Sequence, residues 1–244
     1  MTDQNKEILR VEVGSTAHGT GLEGQEDRDE LSIVVETPAQ VYGLDRQGLK
    51  TKMIRTQPEG VRSGPGDLDL TIYSLRTFMS LAASGNPSIL AALWAPVIEA
   101  TAEGIYLRDG RTNFIGRHVI PRYRGYMRQQ GLRLLGLSGK PRPDVIDEHG
   151  FDTKYAMHAA RLGYQCIELL TTWNLELPIS SPTGNWLRSL RQGEVPFKEW
   201  WDTCLWLDSE MEKLQHDAGI RETANFDTIV DMSIVIHNVI HDRS

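Results

Sequence analysis

Residues 14–29 read GSTAHGTGLEGQEDRD and residues 67–71 read DLDLT. Everything else in the chain is organised around these two acidic stretches. The segment before the first, Ile8-Leu9-Arg10-Val11-Glu12-Val13, is a short β-branched run and predicts a strand. Gly14-Ser15 then turns the backbone tightly, which leaves N–H groups able to approach a phosphate. Asp27 and Asp29 stand two apart at the start of a second apolar run, Leu31-Ser32-Ile33-Val34-Val35. The two-residue period of a strand sends both carboxylates to one face. Paired carboxylates beside a phosphate-sized turn can chelate Mg²⁺ that also bridges phosphate oxygens. A third carboxylate would complete a two-metal arrangement and could take the proton of an attacking hydroxyl. Asp67 and Asp69 compete for that place.

These residues resemble the DNA polymerase beta nucleotidyltransferase superfamily, marked by a Gly-Ser turn, a short spacer and an acidic-x-acidic pair. Eleven residues, Thr16 to Glu26, separate Ser15 from Asp27 here. The likeness extends to the predicted-nucleotidyltransferase group that includes the RNA-ligase-associated polymerase-beta-like proteins. There the third acidic strand runs directly into a helix and a Gly-Asn-Pro turn. This chain has Asp69-Leu70-Thr71-Ile72-Tyr73 leading through Leu75 and Phe78 to Gly85-Asn86-Pro87. The resemblance covers residues 8–95 with several motifs, and 117–215 more weakly. It implies that Asp27, Asp29 and Asp69 are the catalytic metal ligands, Asp69 being chosen because the family's carboxylate stands two residues before the Thr. It implies Mg²⁺ (or Mn²⁺) as cofactor and an NTP or dNTP, ATP included, seated on Gly14 and Ser15. One departure stands between the aspartates, where Arg28 replaces a usually less polar residue; it leaves the ligands intact and bears on strand packing.

Composition is that of an ordinary globular chain, with 244 residues, 40% hydrophobic and 24% charged. No apolar run reaches the ~18–20 residues that cross a bilayer, and the N-terminus MTDQNKEILR is polar, so a cytoplasmic protein without membrane partners is expected. Cys166 and Cys204 lack metal-ligand spacing and are expected to be buried free thiols. The net charge of −7 argues against a protein that coats nucleic acid along its whole surface. Yet eight of the 26 basic residues, and none of the 33 acidic ones, lie between Arg111 and Pro143. Seven of the eight are arginines, whose guanidinium fork suits phosphate. Arg117, Arg122, Arg124 and Arg128 are therefore candidate contacts to phosphate or to an acceptor, with Tyr123 and Tyr126 placed to stack on a base. The competing expectation is that these arginines pair with the acidic surface elsewhere.

An α+β protein follows from the punctuation: a polymerase-beta-like nucleotidyltransferase head (mixed sheet with helices) over residues 1–110, then a C-terminal helical bundle over 111–244. In the head, Leu75–Ser84 is a strong helix and Thr51–Gly66 reads as a loop ending in Gly and Pro. Beyond, helical periodicity marks Arg122–Leu135, Thr153–Thr172, Phe197–Asp217 and Phe226–Ile240. Within the second of these, Tyr155, Ala159, Leu162, Cys166 and Leu169 form the apolar stripe. Lys154, His158 and Arg161 align one residue earlier, a row of cations that is unfavourable unless an anion lies opposite. The related family has a similar set at this place, which implies contact with the nucleotide's triphosphate. The function expected is transfer of an NMP to an acceptor hydroxyl with release of pyrophosphate. Three acceptors stay open: an RNA end, a small molecule or a protein. Two alternatives are a non-catalytic nucleotide sensor and a metal-dependent phosphohydrolase using the same carboxylates.

Overall fold

The computed structural model describes residues 5–21, 28–43, 51–57, 64, 66–139 and 142–242. The chain divides into two compact units. The first comprises Met1–Ser84, Ser88–Phe114 and Asn225–Ser244, and the second Gly85–Pro87 with Ile115–Ala224.

Among the described residues, the first unit holds a sheet of five strands: β1 (Lys6–Glu12), β2 (Arg28–Val35), β3 (Thr51–Arg55), β4 (Leu68–Ser74) and β5 (Val97–Ala100), in the order β3-β4-β2-β1-β5. Only β2 and β4 run parallel; the other neighbours are antiparallel. β2 is central, and Leu31 through Val35 are all buried, the continuous apolar run of a strand covered on both faces. β3, by contrast, is an edge strand with every residue exposed. Its polar composition explains why Thr51–Arg55 looks like part of a loop in the sequence. Helices α1 (Gly14–His18), α2 (Pro38–Tyr42), α3 (Leu75–Ala83), α4 (Pro87–Ala92) and α5 (Ala102–Asp109) complete this part of the chain. α3 starts at Ser74, whose Oγ accepts the Thr77 N–H at 3.3 Å. It buries Leu75, Phe78, Met79, Ala82 and Ala83, one stripe of an amphipathic helix.

The second unit is helical: α6 (Val119–Leu134), α7 (Pro143–His149), α8 (Thr153–Thr172), α9 (Thr183–Gln192) and α10 (Phe197–Gln215). α8 is its spine and packs against α6, α7, α9 and α10. Asp152 caps it, accepting the Tyr155 N–H at 3.0 Å, while the buried Asp152 carboxylate also pairs with Arg142. Gly163 lets α10 approach closely, since a β-carbon there would fall 2.8 Å from Leu207 Cδ1. Trp200 Nε1 donates to the Ala156 carbonyl at 2.9 Å across the same contact. The Gly85-Asn86-Pro87 turn belongs to this unit: a β-carbon at Gly85 would sit 3.0 Å from Val119 Cα, and Asn86 Nδ2 donates to Tyr126 Oη at 3.2 Å.

The last helix, α11 (Phe226–His241), corrects the expected partition, because it belongs to the first unit and not to the bundle. Ile229, Met232, Ile236 and Ile240 form its buried stripe, and α11 packs on α3 and β2. Met232 closes over Gly110, where a β-carbon would meet its Cε at 2.2 Å. At its far end, His237 Nε2 pairs with Glu36 Oε2 at 3.3 Å, both side chains buried, and His241 Nε2 donates to the Glu36 carbonyl at 2.8 Å.

Candidate active site

Strand β1 ends at Glu12, and the N–H of the next residue, Val13, donates to the Asp29 carbonyl at 2.8 Å, so the chain turns against the start of β2. Gly14 has φ 73°, the left-handed region that glycine enters without penalty. A β-carbon on it would lie 2.1 Å from Asp29 Oδ2 and 2.8 Å from Asp29 Cβ. The backbone of residue 14 is thus closed directly on the Asp29 carboxylate, and no other residue type fits there. Gly14 and Ser15 do not form an isolated turn. They open the single-turn helix α1, which Gly19 (φ 67°) ends. His18, at the end of that helix, is buried.

The parallel pairing of β2 and β4 sets Asp29 opposite Asp69 in register. Residues paired on adjacent strands point to the same face, about 4.8 Å apart. Two carboxylates from strands forty residues apart in sequence therefore meet beside Gly14. Asp69 also accepts a hydrogen bond from Gln57 Nε2 at 3.0 Å and an ion pair from Arg55 Nε at 3.3 Å. Arg55 is its partner across β3. The two supporting residues fall in the stretch that reads as a loop. The β-branched Thr51 and Ile54 were the one local signal that a short strand lay there.

Asp67 occupies a different place. It precedes β4, accepts the Gly64 N–H at 3.0 Å and the Thr56 hydroxyl at 3.2 Å, and so closes the local turn. Arg28, next to Asp29, points to the opposite face, where its Nη2 pairs with buried Glu30 Oε1 at 2.6 Å. Its polarity is thereby absorbed by the sheet. Asp27 lies outside the described residues. Among the described residues no group of three or more His, Cys, Asp or Glu forms a metal cluster. Asp29 and Asp69 are nevertheless hard oxygen donors on one face, the donor chemistry that Mg²⁺ and Mn²⁺ favour.

A model of the RNA repair pathway DNA polymerase beta family matches residues 2–190. The chain belongs to that family. A solved nucleotidyltransferase-like protein from Exiguobacterium sibiricum is similar at 9% identity over 88% of this chain and 69% of its own, with a TM-score of 0.32. No curated protein matches the sequence. The matched span includes β1 through α8 and most of α9, and leaves out α10 and α11. Membership supports nucleotidyl transfer in general, with a nucleoside triphosphate as substrate. Polymerase-beta-like nucleotidyltransferases generally use divalent metals. Among the described residues no helix is long and apolar enough to cross a membrane.

In the helical unit of this family member, the arginines of the basic stretch are used unequally. Arg124 is engaged within the protein: its fork donates to Asp208 at 2.7 Å through both Nε and Nη2, and Nη1 reaches Glu212 at 2.5 Å. This ties α6 to α10. Arg117 Nη1 donates to the Gln215 carbonyl at 3.2 Å. Arg122 and Arg128 are exposed. Tyr123, expected to stack on a base, is instead 1% exposed and part of the core, and burial raises its phenol's pKa. Tyr126 is exposed.

On α8, Lys154, His158 and Arg161 share a face as the spacing predicts, but it is a half-buried face and not a solvated one. Part of each residue's surface reaches solvent, yet the Arg161 guanidinium and the His158 ring are enclosed. Burial lowers the Arg161 guanidinium to about 10. Burial, followed by the charges of Arg161, Lys154, Arg191 and Arg142, holds His158 well below the ordinary histidine range.

Proposed function

We propose that the protein transfers an NMP from an NTP to an acceptor hydroxyl with release of pyrophosphate. The observation that supports this most is the register of Asp29 with Asp69 on parallel strands, with Gly14 closed against the first carboxylate. Asp29 and Asp69, joined by Asp27, would hold two divalent ions (Mg²⁺ or Mn²⁺), which when bound neutralise the triphosphate and lower the pKa of the acceptor hydroxyl. The backbone of Gly14 and Ser15 would hold the phosphate tail. The acceptor oxygen attacks the α-phosphorus in line, the bond to the bridging oxygen breaks, and pyrophosphate leaves with that electron pair. Asp69 orients the hydroxyl and takes its proton, with Gln57 and Arg55 fixing the carboxylate's direction. Positioning and charge neutralisation supply most of the acceleration.

For the acceptor we infer an RNA end, in keeping with the RNA repair pathway of the family's description. Arg122 and Arg128, exposed on α6, with Arg117 before it, would contact its phosphates, while Arg124 acts mainly to hold α6 to α10. Cys166 and Cys204, both buried free thiols, accord with a reducing cytoplasmic setting.

Asp67, just before β4, and Asp69, within it, give the test. Asp69→Ala is expected to remove transfer and spare nucleotide binding, since Asp27 and Asp29 still carry the nucleotide's metal. Asp67→Ala should leave transfer within several-fold of the parent. The reverse order of severity would overturn the assignment.

A further inference from the structure

Helix α10 carries five carboxylates, Glu199, Asp202, Asp208, Glu210 and Glu212. Four of them have a cationic partner: Asp202 pairs with Lys198, Asp208 and Glu212 with Arg124, and Glu210 with Lys213. Among the described residues Glu199 is the exception, and its surroundings are aromatic. Its Oε1 accepts the Trp186 indole N–H from α9 at 2.8 Å. Trp186 in turn meets the Tyr164 ring of α8 edge-on, with centroids 6.0 Å apart and planes at 71°. Tyr164 also contacts Trp206 of α10, at 6.1 Å and 51°. Neither pair is stacked, so the rings stand as walls. Beside them a cavity of about 540 Å³ opens, lined by Tyr164, Trp206, Glu199 and Asp202 among others. That volume lies in the ~300–1,000 Å³ range of small-molecule sites. Trp206 is 50% exposed, which leaves its ring accessible to a guest. All of these residues belong to the second unit.

We propose that Tyr164, Trp186, Trp206 and Glu199 form a binding site for an organic cation of the alkylated-ammonium class, such as a trimethylammonium group. The negative face of an aromatic ring attracts positive charge, and Glu199 adds a full charge of the right sign. Hydration and geometry decide which cation fits. A primary ammonium is strongly hydrated and would exchange that water for ring faces that are poor acceptors. A guanidinium seeks both oxygens of a carboxylate, whereas one oxygen of Glu199 is already engaged by Trp186. A quaternary ammonium needs no directed acceptor, and its methyl groups suit walls made of aromatic rings and Pro196. Lys198 also borders the cavity, but its ammonium is tied to Asp202 at 2.6 Å, which leaves the charge of Glu199 for a guest. Tyr164 and Trp186 fall inside the family-matched span of 2–190, whereas Glu199 and Trp206 lie beyond it, so the site is completed by a part of the chain that the match does not reach. Neither Asp29 nor Asp69 takes part in it.

Proton NMR of choline and of tetramethylammonium, titrated with the full chain, reads this site directly. Their N-methyl resonances should move upfield and saturably, as protons held over aromatic faces do. The neutral carbon isostere of choline has the same shape without the charge, and should bind more weakly by roughly two- to thirtyfold, as loss of a cation–π attraction implies. Trp206→Leu keeps an apolar side chain and removes the ring, and should weaken choline binding by a similar factor. Glu199→Gln keeps an acceptor for the Trp186 indole and removes the charge, and should weaken it too. Tyr164→Phe keeps the ring and should bind as the parent does. Glu199 and Trp206 are both exposed, so their variants should keep the parent's Tm. The site is overturned if neither cation shows a saturable shift, if the neutral isostere binds as tightly as choline, or if Trp206→Leu and Glu199→Gln both bind choline as the parent does. A trimethyllysine peptide that binds more tightly than choline assigns the site to a modified polypeptide, and the reverse order assigns it to a free small molecule. Equal binding by the unmethylated lysine peptide overturns the choice of an alkylated ammonium.

Discussion

Replacing Gly14 with alanine tests how closely the backbone and Asp29 are joined. Two separate costs arise. The residue sits at φ 73°, where an L side chain carries a penalty of roughly 1–2 kcal/mol. The new β-carbon would also fall 2.1 Å from Asp29 Oδ2 and 2.8 Å from Asp29 Cβ. A rotation of the carboxylate relieves the first contact but not the second, so the start of β2 must move by several tenths of an ångström or more. Misplacement of a reacting group by about 1 Å can cost ~10²-fold in rate. The expected outcome is a transfer rate down by about two orders of magnitude, with a Tm lower by several degrees, since ~1 kcal/mol shifts the Tm of a domain this size by ~4 °C. Transfer is read with an α-labelled NTP, and unfolding by circular dichroism. Parent-like turnover in Gly14→Ala would refute the close approach.

The buried Glu36–His237 pair should make the first unit's stability bell-shaped in pH. Burial alone would raise Glu36, but its hydrogen bond with His237 lowers it overall; burial alone would lower His237, but that same bond and the Ser233 carbonyl raise it. The Glu36 contribution is present above its ordinary value of 4.5 and is lost as pH falls through the lowered one, while that of His237 is full below 6.5 and is lost as pH rises through the raised one. Denaturant midpoints should thus peak between about 4.5 and 6.5, and Glu36→Gln should flatten the alkaline limb; an unchanged limb would show that the pair does not titrate as described. On α6, Gly131→Ala meets nothing within 4 Å and should stabilise by ~0.5–1 kcal/mol, whereas Gly163→Ala on α8 strikes Leu207 and should destabilise. Equal effects at the two sites would contradict the packing. Arg122→Ala with Arg128→Ala should weaken RNA-acceptor use and reduce its salt dependence while leaving nucleotide affinity alone. A salt slope equal to the parent's would remove these arginines from the acceptor's path.

Local signals carried far in this chain, and long-range ones did not. The period of α8 places it at Thr153–Thr172, the bounds found in the structure, because its apolar stripe is a local feature. The alignment of Lys154, His158 and Arg161 follows from the same period. Arg191 could not be anticipated, since it reaches that row from another helix. Nor could the pairing of Asp29 with Asp69, for a parallel register depends on a crossover whose geometry no short motif encodes. α11 shows the same division: its amphipathic stripe is plain in the sequence, but which unit buries that stripe is decided by Gly110, Glu36 and α3. Tyr123 looked like a stacking platform because arginines flank it. The period of α6, with Val119, Ile120, Tyr123 and Met127 buried, turns it inward instead.

Incubation with each α-labelled NTP, Mg²⁺ or Mn²⁺, and a total extract of RNA, proteins and metabolites tests the central claim most directly. Label should become covalently attached to an acceptor with one pyrophosphate released per transfer, and Asp29→Asn and Asp69→Ala should abolish it while remaining folded. Contradiction would come from label appearing only as free nucleoside monophosphate, which would mean hydrolysis, or from transfer that persists undiminished when either aspartate is replaced.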